Sequence, residues 1–473
     1  MAAAAAAVRP TLEAALEAQR RAYLADPVPS YHQRLADLRT LRRFLLENRE
    51  ALVDAVNRDY GNRSRHETLF SEIIPVLDGI KHTLRHLRAW MRPQRRSVDL
   101  LLFPGARNRV IPQPLGVVGI IVPWNFPINL MFLPLTSIVA AGNRAMVKLS
   151  ENSRNLAAFL IATLPRYFPH EKLAVFDETG GVGAEFSRLP LDHLLFTGST
   201  QTGRSVMAAA AANLTPVTLE LGGKSPALVC EDFPLRTAAE RLLFVKLMNA
   251  GQICTTVDYL LLPHARIEEF AALAQCIVRA RYADIGTRDY TSIIDARAFA
   301  RLTHAIEEAQ ARGARVVQLL PGPPWDPATR KIAPHLVVDP PPDSELMQRE
   351  IFGPVLPVLG YGTLEEAVAF INARPRPLAF YPFSRRPATI DYLLTHVMSG
   401  GVSVNDALWH VGQHDLPFGG VGASGMGHYH GAEGFLSFSK LRPVFYQAPV
   451  SGMRFLWPPF GKLADRVLDF LTR

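Results

Sequence analysis

The sequence predicts an α/β protein built on parallel sheets, and two observations support this prediction. From about residue 117, short β-branched or aliphatic runs alternate with helical stretches. Strands separated in this way need crossover connections, so the sheet that they form is parallel and covered on both faces. A second series of the same kind runs from about 225 to 405. We therefore expect two α/β units, with a boundary at Gly222-Gly223.

The elements can be assigned in chain order. Residues 10–90 are expected to be helical, because leucines recur at intervals of three and four at Leu35, Leu38, Leu41, Leu45 and Leu46. The segment 100–116 is expected to form a hairpin around Pro104-Gly105. The first strand series is predicted at 117–122, 144–148, 173–176, 192–196 and 216–221. The second begins with PALVC and VDYLLLP, and the amphipathic helix GKLADRVLDFLTR ends the chain.

The segment from Val117 to Gly142 has no charged residue and is long enough to resemble a membrane span. Three prolines interrupt it, at Pro123, Pro127 and Pro134. Lipid-exposed backbone tolerates such interruptions poorly, because freed backbone groups find no partner in hydrocarbon. We expect a buried strand, an uncharged loop and a buried helix, with no integral membrane segment. The N-terminal MAAAAAAVRP lacks the charged and apolar regions of a signal peptide.

Composition and charge exclude several classes of protein. Hydrophobic residues make up 48% of the 473 residues, enough for sizeable cores. Cys230, Cys254 and Cys276 form a sparse, odd-numbered set without CxxC spacing. This argues against a disulfide framework and favours a reducing cytoplasm. The net charge of +8 is scattered along the chain, so we expect an anionic small molecule rather than nucleic acid as a partner.

Two glycine-rich stretches are candidates for dinucleotide binding. The run Gly420-Val-Gly422-Ala-Ser-Gly425 matches GxGxxG, but no predicted strand precedes it and no helix follows, so we expect no phosphate there. The stretch FTGSTQTG, 196–203, joins a predicted strand to a predicted helix. It would place unpaired N–H groups and the helix dipole near an anion such as pyrophosphate. Many βα turns have this composition for conformational reasons alone. The motif by itself therefore leaves open whether this turn binds an anion or only connects the strand to the helix.

Three polar residues could perform chemistry, and each has a purely structural alternative. Cys254 in NAGQICTT has small polar neighbours and a nearby glycine, although most buried cysteines only pack. Glu220 in LELGGKSP could be a desolvated general base or a strand-end carboxylate that faces solvent. Asn125 in PWNFP could polarise a carbonyl oxygen at a strand end or simply form a turn between prolines. No histidine lies near Cys254 in sequence, so a Cys-His hydrolase has no local support.

The histidines do not form a metal motif. His82 and His86 are four residues apart on a predicted helix, but basic residues flank both of them. His428 and His430 lie in a glycine-rich segment without a pattern of carboxylate ligands. We therefore expect no metal site.

The order of these motifs resembles the NAD(P)-dependent aldehyde dehydrogenase superfamily. The matching segments, between about residues 15 and 447, are PWNFP, VKLSEN, FTGSTQTG, LELGGKSP, NAGQICTT, EIFGPV and LPFGGVGASGMGHYHG. The 34-residue separation between Glu220 and Cys254, followed by EIFGPV, makes the set specific. The C-terminal GGVGASGMGHYHG and FSK resemble the class 3 branch and, within it, the bacterial coniferyl-aldehyde dehydrogenase group.

The resemblance implies a role for each matching residue. Cys254 would be the nucleophile and Glu220 the general base, while Asn125 and the Cys254 backbone N–H would form the oxyanion hole. The implied cofactor contacts are Lys148 and Glu151 at the adenosine ribose, Trp124, Gly198 and Ser199 near the pyrophosphate, Glu350 at the nicotinamide ribose and Phe352 beside the nicotinamide. The implied walls of the substrate pocket are Phe126, Ile253, Thr255 and Phe418.

The implied reaction oxidises an aldehyde to the carboxylic acid through a thiohemiacetal and a thioester on Cys254, which water activated by Glu220 hydrolyses. NAD is the expected cofactor, with NADP as the alternative, because Glu151 would repel a 2′-phosphate whereas Lys148 accepts either. The family's Lys-Pro-Ser-Glu reads Lys148-Leu149-Ser150-Glu151 here. Loss of the proline predicts a looser ribose-binding turn.

The resemblance also implies a fold with a Rossmann-like cofactor domain, an α/β catalytic domain and a small β oligomerisation arm. Residues 1–96 and 116–222 would form the N-terminal helices and the cofactor domain, and 223–405 the catalytic domain. Residues 97–115 and 430–447 would form the arm of a homodimer. Residues 448–473 would form a tail helix.

Other functions remain open from the sequence. An acylating enzyme would pass the acyl group to coenzyme A, but Glu220 favours hydrolysis. A non-catalytic homologue would not need Cys254, Glu220 and Asn125 together. The resemblance to the coniferyl-aldehyde dehydrogenase group, together with the aromatic Trp124 and Phe126, implies a phenylpropenal such as coniferaldehyde as the substrate. A medium-chain aliphatic aldehyde is the alternative.

Overall fold

A layer of helices opens the chain in the computed structural model, which describes residues 10–179 and 181–472. The prediction for the N-terminal MAAAAAAVR lies outside these residues. The helices are α1 Leu12–Ala25, α2 Tyr31–Glu47, α3 Arg49–Tyr60, α4 Arg65–Thr68 and α5 Ile74–Trp90, with a π-helix at Leu69–Ile73. The helical prediction for 10–90 is confirmed, except that Leu46 is 43% exposed whereas Leu45 is fully buried. Leu46 projects about 100° further around α2 than Leu45, away from the core stripe.

A small three-stranded sheet, called the third sheet below, differs from the sequence prediction for this region. Its strands run in the order β1-β2-β18, with all pairs antiparallel. They are β1 Gln94–Arg96, β2 Arg107–Pro114 and β18 Ser439–Tyr446. The predicted hairpin within 100–116 is wrong, because β2 pairs with residues before Ser97. Asp99 accepts backbone hydrogen bonds from Leu101 and Leu102, which makes that stretch a turn instead of a strand.

The first large sheet lies against the N-terminal helices. Five parallel strands and one short antiparallel strand run in the order β17-β7-β6-β3-β4-β5. The strands are β3 Val117–Ile121, β4 Arg144–Lys148, β5 Leu173–Phe176, β6 His193–Gly198, β7 Val217–Leu221 and β17 Gly425–Met426. The helices between them are α6 Asn129–Ala141, α7 Arg154–Thr163, α8 Val182–Ser187 and α9 Thr200–Ala211. The predicted parallel sheet covered on both faces is confirmed.

The uncharged segment 117–142 forms strand β3, a loop and helix α6, as predicted. Every residue of β3 is buried, and so is α6 from Leu130 to Ala141. Among residues 10–179 and 181–472, none of the helices has both the length and the apolar character that crossing a bilayer demands.

The second large sheet has the order β10-β13-β14-β9-β8-β15-β16, and β10 alone is antiparallel to its neighbour. Its strands are β8 Pro226–Val229, β9 Tyr259–Pro263, β10 Arg315–Gln318, β13 His335–Val338, β14 Val355–Tyr361, β15 Ala379–Phe383 and β16 Gly401–Val402. The accompanying helices are α10 Leu235–Leu247, α11 Ile267–Arg281, α12 Ala296–Ala311, α13 Glu345–Gln348, α14 Leu364–Asn372 and α15 Pro387–His396. A two-stranded ribbon consists of β11 Trp325–Asp326 and β12 Lys331–Ile332.

The chain moves from the first large sheet to the second between Leu221 and Pro226, across the predicted boundary glycines. It returns to the first sheet at β17 and then forms α16 Gly431–Ser437 and the tail helix α17 Lys462–Leu471. Parallel strands direct their carboxyl ends to one edge of a sheet, where ligands of α/β proteins bind. The loops after β3, β4, β6 and β7 therefore meet near this crossing.

Candidate active site

Cys254 follows a strained turn at the end of α10. Asn249 and Ala250 have φ of 52° and 50°, and Gly251 follows with φ of 75°. Left-handed backbone is costly for residues with a Cβ, so surrounding contacts must hold it. Gly251 is required on steric grounds as well, because a Cβ there would overlap the carbonyl oxygen of Gly353. This turn sets the direction in which the chain reaches Cys254.

The Cys254 side chain is partly exposed, whereas Cys230 is buried and Cys276 is exposed. Burial, followed by the charges of Glu350 and Glu220, raises the pKa of the Cys254 thiol to about 12. Hydrogen bonds from the backbone N–H groups of Cys254 and Thr255 act in the opposite direction. Because the thiolate is the nucleophilic form of cysteine, this thiol must lose its proton to a nearby group or in a changed electrostatic environment before it reacts.

Asn125 lies in the loop after β3 and is 3% exposed. Its Nδ2 donates to the carbonyl oxygen of Gln252 at 3.3 Å, two residues before Cys254. The side chain is therefore buried against the cysteine loop, which a mere turn-former would not require. The structure brings Asn125 and Cys254 together although 129 residues separate them in sequence.

Glu220 is buried in strand β7, and the solvent-facing alternative for this residue is wrong. It is 2% exposed, and neither carboxylate oxygen has a hydrogen-bond partner. Burial raises its pKa well above the ordinary value. The flanking Leu219 and Leu221 point to the opposite face of the sheet, as strand alternation dictates, and pack in the core there. The desolvation therefore comes from elsewhere, including strand β17, where Gly425 pairs with Glu220.

The Glu350 carboxylate lies against Gly222, the first residue of the glycine pair that follows β7. A Cβ at Gly222 would overlap the Glu350 carboxylate, and Oε1 of Glu350 is buried without a partner. Burial, with a smaller effect of the Asp258 charge, raises the pKa of Glu350 to about 8. Two residues on, Phe352 has φ of 52°, and its ring centroid lies 5.6 Å from that of Trp124. The predicted cofactor residues Trp124, Glu350 and Phe352 therefore surround one region.

Three charged residues near Glu350 were not identified as site residues from the sequence. Asp258 accepts from Ile351 N at 2.9 Å and pairs with Lys224. Lys224 also donates to the carbonyl oxygen of Arg349 at 3.1 Å. Lys246 is fully buried with no partner for Nζ, and burial lowers its pKa to about 8. Lys224 stands within LELGGKSP and Asp258 four residues after Cys254, so both were visible as charges just before the apolar strands β8 and β9.

Gly198 and Ser199 lie at the turn from β6 into α9. Ser199 is the N-cap of α9, and its Oγ accepts from Thr202 N at 3.2 Å. A Cβ at Gly198 would clash with the Phe196 ring. The predicted helix N-terminus is confirmed, and such a terminus offers free N–H groups to an anion. The rival GxGxxG run at 420–425 forms a loop that ends in strand β17, and the next helix, α16, begins only at Gly431.

Lys148 ends strand β4 and is paired with Glu178, an acid that the sequence analysis missed. Glu178 follows β5, the neighbouring strand, and its Oε1 accepts from Gly183 N at 3.2 Å. Glu151 is exposed and accepts from Ser150 Oγ at 3.1 Å. The sequence signal for Glu178 was an acidic residue just beyond the carboxyl end of the predicted strand next to β4. Lys148, Glu151 and Glu178 together form a mixed-charge cluster.

The expectation of a looser turn at Leu149 is wrong. Leu149 is fully buried, and its N–H donates to the carbonyl oxygen of Phe176 at 2.9 Å. A proline has no N–H and could not make this bond. The leucine therefore extends the β4–β5 pairing by one hydrogen bond and adds a side chain to the core.

The predicted pocket residues are all buried, and three of the four lie in one core cluster. The Phe126 ring stands 4.8 Å from the guanidinium carbon of Arg63, and the carbonyl of Thr255 accepts from Tyr381. Ile253 is 4% exposed and belongs to the same core cluster as Phe126 and Phe418. Phe418 is paired with Tyr429 through two backbone hydrogen bonds of 2.9 Å.

Tyr429 and His430 were missed as site residues. Tyr429 belongs to the core cluster against which Cys254 packs, and burial, followed by the charges of Glu220 and Cys254, raises its pKa. The His430 ring stacks on Phe418 at 5.6 Å, and both of its nitrogens are buried without partners. Burial lowers the pKa of His430 to about 3, so the ring is neutral. Within the described part of the chain, no group of three or more potential metal ligands occurs.

Comparisons with known proteins agree with this geometry. Residues 1–444 match the family model described as the aldehyde dehydrogenase family. The chain is 47% identical to a probable coniferyl aldehyde dehydrogenase of Pseudomonas aeruginosa, over 97% of this chain and 95% of the relative. It is 44% identical to a coniferyl aldehyde dehydrogenase of a Pseudomonas species, over 97% and 96%.

Two further comparisons bear on the cofactor and the fold. The chain is 37% identical to the dimeric NADP-preferring aldehyde dehydrogenase of Rattus norvegicus, over 89% of this chain and 92% of the relative. The solved substrate-bound state of Staphylococcus aureus AldH matches with a TM-score of 0.91 and 32% identity, covering 98% of this chain and all of that one. The predicted fold is thereby confirmed.

The raised pKa of Glu350 predicts how stability without cofactor depends on pH. A carboxyl group whose pKa is higher in the folded state stabilises the fold fully below the unfolded pKa, about 4.5, and loses this effect as pH rises to about 8. Glu350→Gln stays neutral, so its free energy of unfolding should match wild type near pH 5 and exceed it near pH 8. The gain is at most about 1.4 kcal/mol per pH unit.

Urea unfolding followed by fluorescence at several pH values measures this difference. Glu308→Gln is the control, because Arg312 lowers the pKa of Glu308, so this variant should gain no stability at high pH. A Glu350→Gln variant that is no more stable than wild type at pH 8 would show that Glu350 is ionised at no cost.

Proposed function

This chain belongs to the aldehyde dehydrogenase family and oxidises an aldehyde to the carboxylic acid with NAD(P)⁺, and we propose that Cys254 is its nucleophile, Glu220 its general base and Asn125 its oxyanion donor. The observation that carries the proposal is the state of Glu220. Its carboxylate is buried, has no hydrogen-bond partner and lies close enough to Cys254 to raise the pKa of the thiol. A desolvated carboxylate with a raised pKa is suited to accept a proton from water near neutral pH.

The residues present fit a dinucleotide. The N-terminus of α9 beside Gly198 and Ser199 suits the pyrophosphate, and the cluster around Lys148 suits the adenosine ribose. Trp124 and Phe352 would flank the nicotinamide half, and the unpartnered Oε1 of Glu350 would accept from a ribose hydroxyl. When bound, NAD(P)⁺ supplies the oxidant that takes hydrogen and its electron pair from the aldehyde carbon.

The residues of the chain perform the remaining steps. The Cys254 thiol gives up its proton to solvent, and its sulfur bonds to the aldehyde carbon as the carbonyl π bond opens and places negative charge on the oxygen, which accepts hydrogen bonds from Asn125 Nδ2 and the Cys254 N–H. After oxidation a thioester remains on Cys254. Glu220 takes a proton from water as the water oxygen bonds to the thioester carbon. The carbon–sulfur bond then breaks, Glu220 passes that proton to the Cys254 sulfur, and the acid leaves.

The proposed substrate is coniferaldehyde or a related phenylpropenal, with a medium-chain aliphatic aldehyde as the alternative. Two relatives at 47% and 44% identity are named for coniferyl aldehyde. Phe418, Tyr429 and the neutral His430 ring form an aromatic wall near Cys254 and Glu220, which supports a planar aromatic substrate. Trp124 and Phe126 pack on Phe352 and Arg63 instead, so they carry less of this argument than the sequence suggested.

Three rival functions predict different outcomes with an aldehyde. An acylating enzyme would transfer the acyl group to coenzyme A and would not need a buried base to activate water. A non-catalytic homologue would turn over no aldehyde, and a cysteine hydrolase would form product without nicotinamide. The desolvated Glu220 beside Cys254 favours hydrolysis over acyl transfer to coenzyme A, and the residues that fit a dinucleotide disfavour the cysteine hydrolase.

We propose that NAD is preferred over NADP. Glu151 and Glu178 place two carboxylates around Lys148, where the 2′-position of the adenosine ribose would lie. Carboxylates accept hydrogen bonds from a 2′-hydroxyl and repel a 2′-phosphate. The pairing of Lys148 with Glu178 also occupies the cation that a phosphate would use.

We further propose a cytoplasmic homodimer joined through the third sheet. Within the described residues β18 has a neighbour on one side only, and its Leu441, Phe445 and Tyr446 are exposed. An unpaired edge with apolar side chains is suited to a second copy. The three unpaired cysteines suit a reducing compartment. The proposed domain limits are those given above, with the arm beginning at Gln94.

Removal of the nucleophile should abolish oxidation. With coniferaldehyde or hexanal, and NAD or NADP supplied separately, Cys254→Ala should form reduced nicotinamide about 10⁴-fold more slowly than wild type, or not at all. Cys276→Ala removes an exposed cysteine and should retain full activity. The product should be the free acid, also when coenzyme A is present. Unchanged rates in Cys254→Ala would remove this residue from the mechanism, and a thioester product would favour the acylating rival.

The acidic cluster should set cofactor preference. Glu178→Gln should raise kcat/KM for NADP relative to NAD by about tenfold, since a charge repulsion of ~1.4 kcal/mol is lost and Lys148 is freed. Steady-state kinetics with both cofactors measures the ratio. Glu185→Gln, at an exposed residue of helix α8, should leave the ratio unchanged. A ratio that also stays constant in Glu178→Gln would show that this carboxylate does not face the ribose.

A further inference from the structure

We propose that Tyr60 and Arg63 are positioning residues for Asn125. By holding the backbone carbonyl of Asn125, they orient its side-chain amide toward the oxyanion that forms during the reaction. The inference rests on the proposed role of Asn125. Neither residue belongs to the motifs that carry the chemistry: Tyr60 is the last residue of α3, and Arg63 lies in the connection between α3 and α4.

Three donors converge on the carbonyl oxygen of Asn125. Tyr60 Oη donates at 3.0 Å, Arg63 Nη1 at 2.8 Å and Asn249 Nδ2 at 3.3 Å. A carbonyl oxygen has two lone pairs, so three donors more than saturate it. The peptide plane after Asn125 is thus held from two directions, by the N-terminal layer and by the turn before Cys254.

Arg63 is itself held in place by a buried ion pair. Its Nη1 lies 2.9 Å from Glu72 Oε1, and both side chains are fully buried. Glu72 Oε2 accepts from the backbone N–H groups of Ile128 at 2.7 Å and Asn129 at 3.2 Å. The pair therefore holds the loop after β3 at two points, one at Asn125 and one at the start of α6.

The orientation of the Asn125 side chain follows from this arrangement. The carbonyl oxygen of Gln252 accepts from Nδ2 of Asn125 at 3.3 Å and from Nδ2 of Asn249 at 3.1 Å. An amide Nδ2 carries two hydrogens. With one of them engaged by Gln252, the second is directed by the fixed backbone and left for the developing oxyanion.

The buried Arg63–Glu72 pair would be a costly way to stabilise the fold if it had no other role. Nε and Nη2 of Arg63 are buried without hydrogen-bond partners. Buried ion pairs often stabilise no more than apolar residues of similar size, because desolvation offsets the attraction. A role in fixing geometry accounts for a buried arginine that stability by itself would not select.

Tyr60→Phe removes one donor and keeps the ring. It should lower kcat about threefold to tenfold, the effect of one neutral hydrogen bond, with KM for aldehyde and cofactor within about twofold of wild type. Arg63→Lys loses the planar donor geometry and should lower kcat about tenfold to a hundredfold. Asn125→Ala should lower kcat about 100- to 1000-fold.

The decisive readout is a double-mutant cycle. If Tyr60 acts through Asn125, Tyr60→Phe should lower kcat no further in the Asn125→Ala background. Alkylation of Cys254 by iodoacetamide, counted by mass spectrometry, should give the same number of reactive thiols in every variant. The rates can then be expressed per intact site.

Matched controls come from the same layer. Tyr167→Phe removes a hydroxyl that donates to Glu47, and Arg34→Lys alters another buried arginine that holds backbone carbonyls at the end of α6. Both should keep the wild-type kcat per intact site. Equal losses in these controls, or an undiminished effect of Tyr60→Phe in the Asn125→Ala background, would overturn the inference. Full kcat in Asn125→Ala would overturn it too, while the Cys254 test would still decide the proposed function separately.

Discussion

Desolvation of three acidic groups, Cys254, Glu220 and Glu350, is the constraint that governs this site. Each has a raised pKa because burial disfavours its charged form, and the charges of Glu220 and Glu350 further raise that of Cys254. Three neighbouring acids of this kind cannot all ionise together without a compensating cation. A positively charged nicotinamide ring is such a cation, so thiol ionisation and cofactor binding are expected to be coupled.

Contacts from the rest of the fold stabilise this desolvated site and its strained backbone. The left-handed turn at 249–251 would be unstable in isolation, and long-range contacts hold it. Glu67 accepts from Asn249 N at 3.1 Å, and Gln252 spans from Asn249 to Ser292. These contacts come from helix α4 and from the connection between α11 and α12. The site therefore depends on the packing of both segments against the turn.

Much of the fold was predictable because local signals were strong. Strands β4 and β5 occupy the predicted residues, since fully buried parallel strands read as continuous apolar runs. The hairpin at 100–116 was misplaced because the true partner of β2 lies earlier in the chain and β18 comes from its far end. Pairing over such distances leaves no local trace.

The site was predictable only where motifs carried it. The family resemblance supplied Cys254, Glu220 and Asn125, whereas the local sequence around Glu220 also allowed a carboxylate that faces solvent, which the structure contradicts. Glu178 was missed although it lies two residues after a predicted strand. Tyr60 and Arg63 were missed because nothing local links them to a loop some sixty residues away.

The measurement that tests the account most directly is a single turnover with Glu220→Gln, mixed rapidly with aldehyde and cofactor and then quenched for mass spectrometry. If Cys254 and Glu220 act in succession, reduced nicotinamide should form in a burst of about one equivalent per site and then stall. The peptide that contains Cys254 should carry the acyl group as a thioester. Steady turnover at the wild-type rate, or a burst with no adduct on Cys254, would contradict the account.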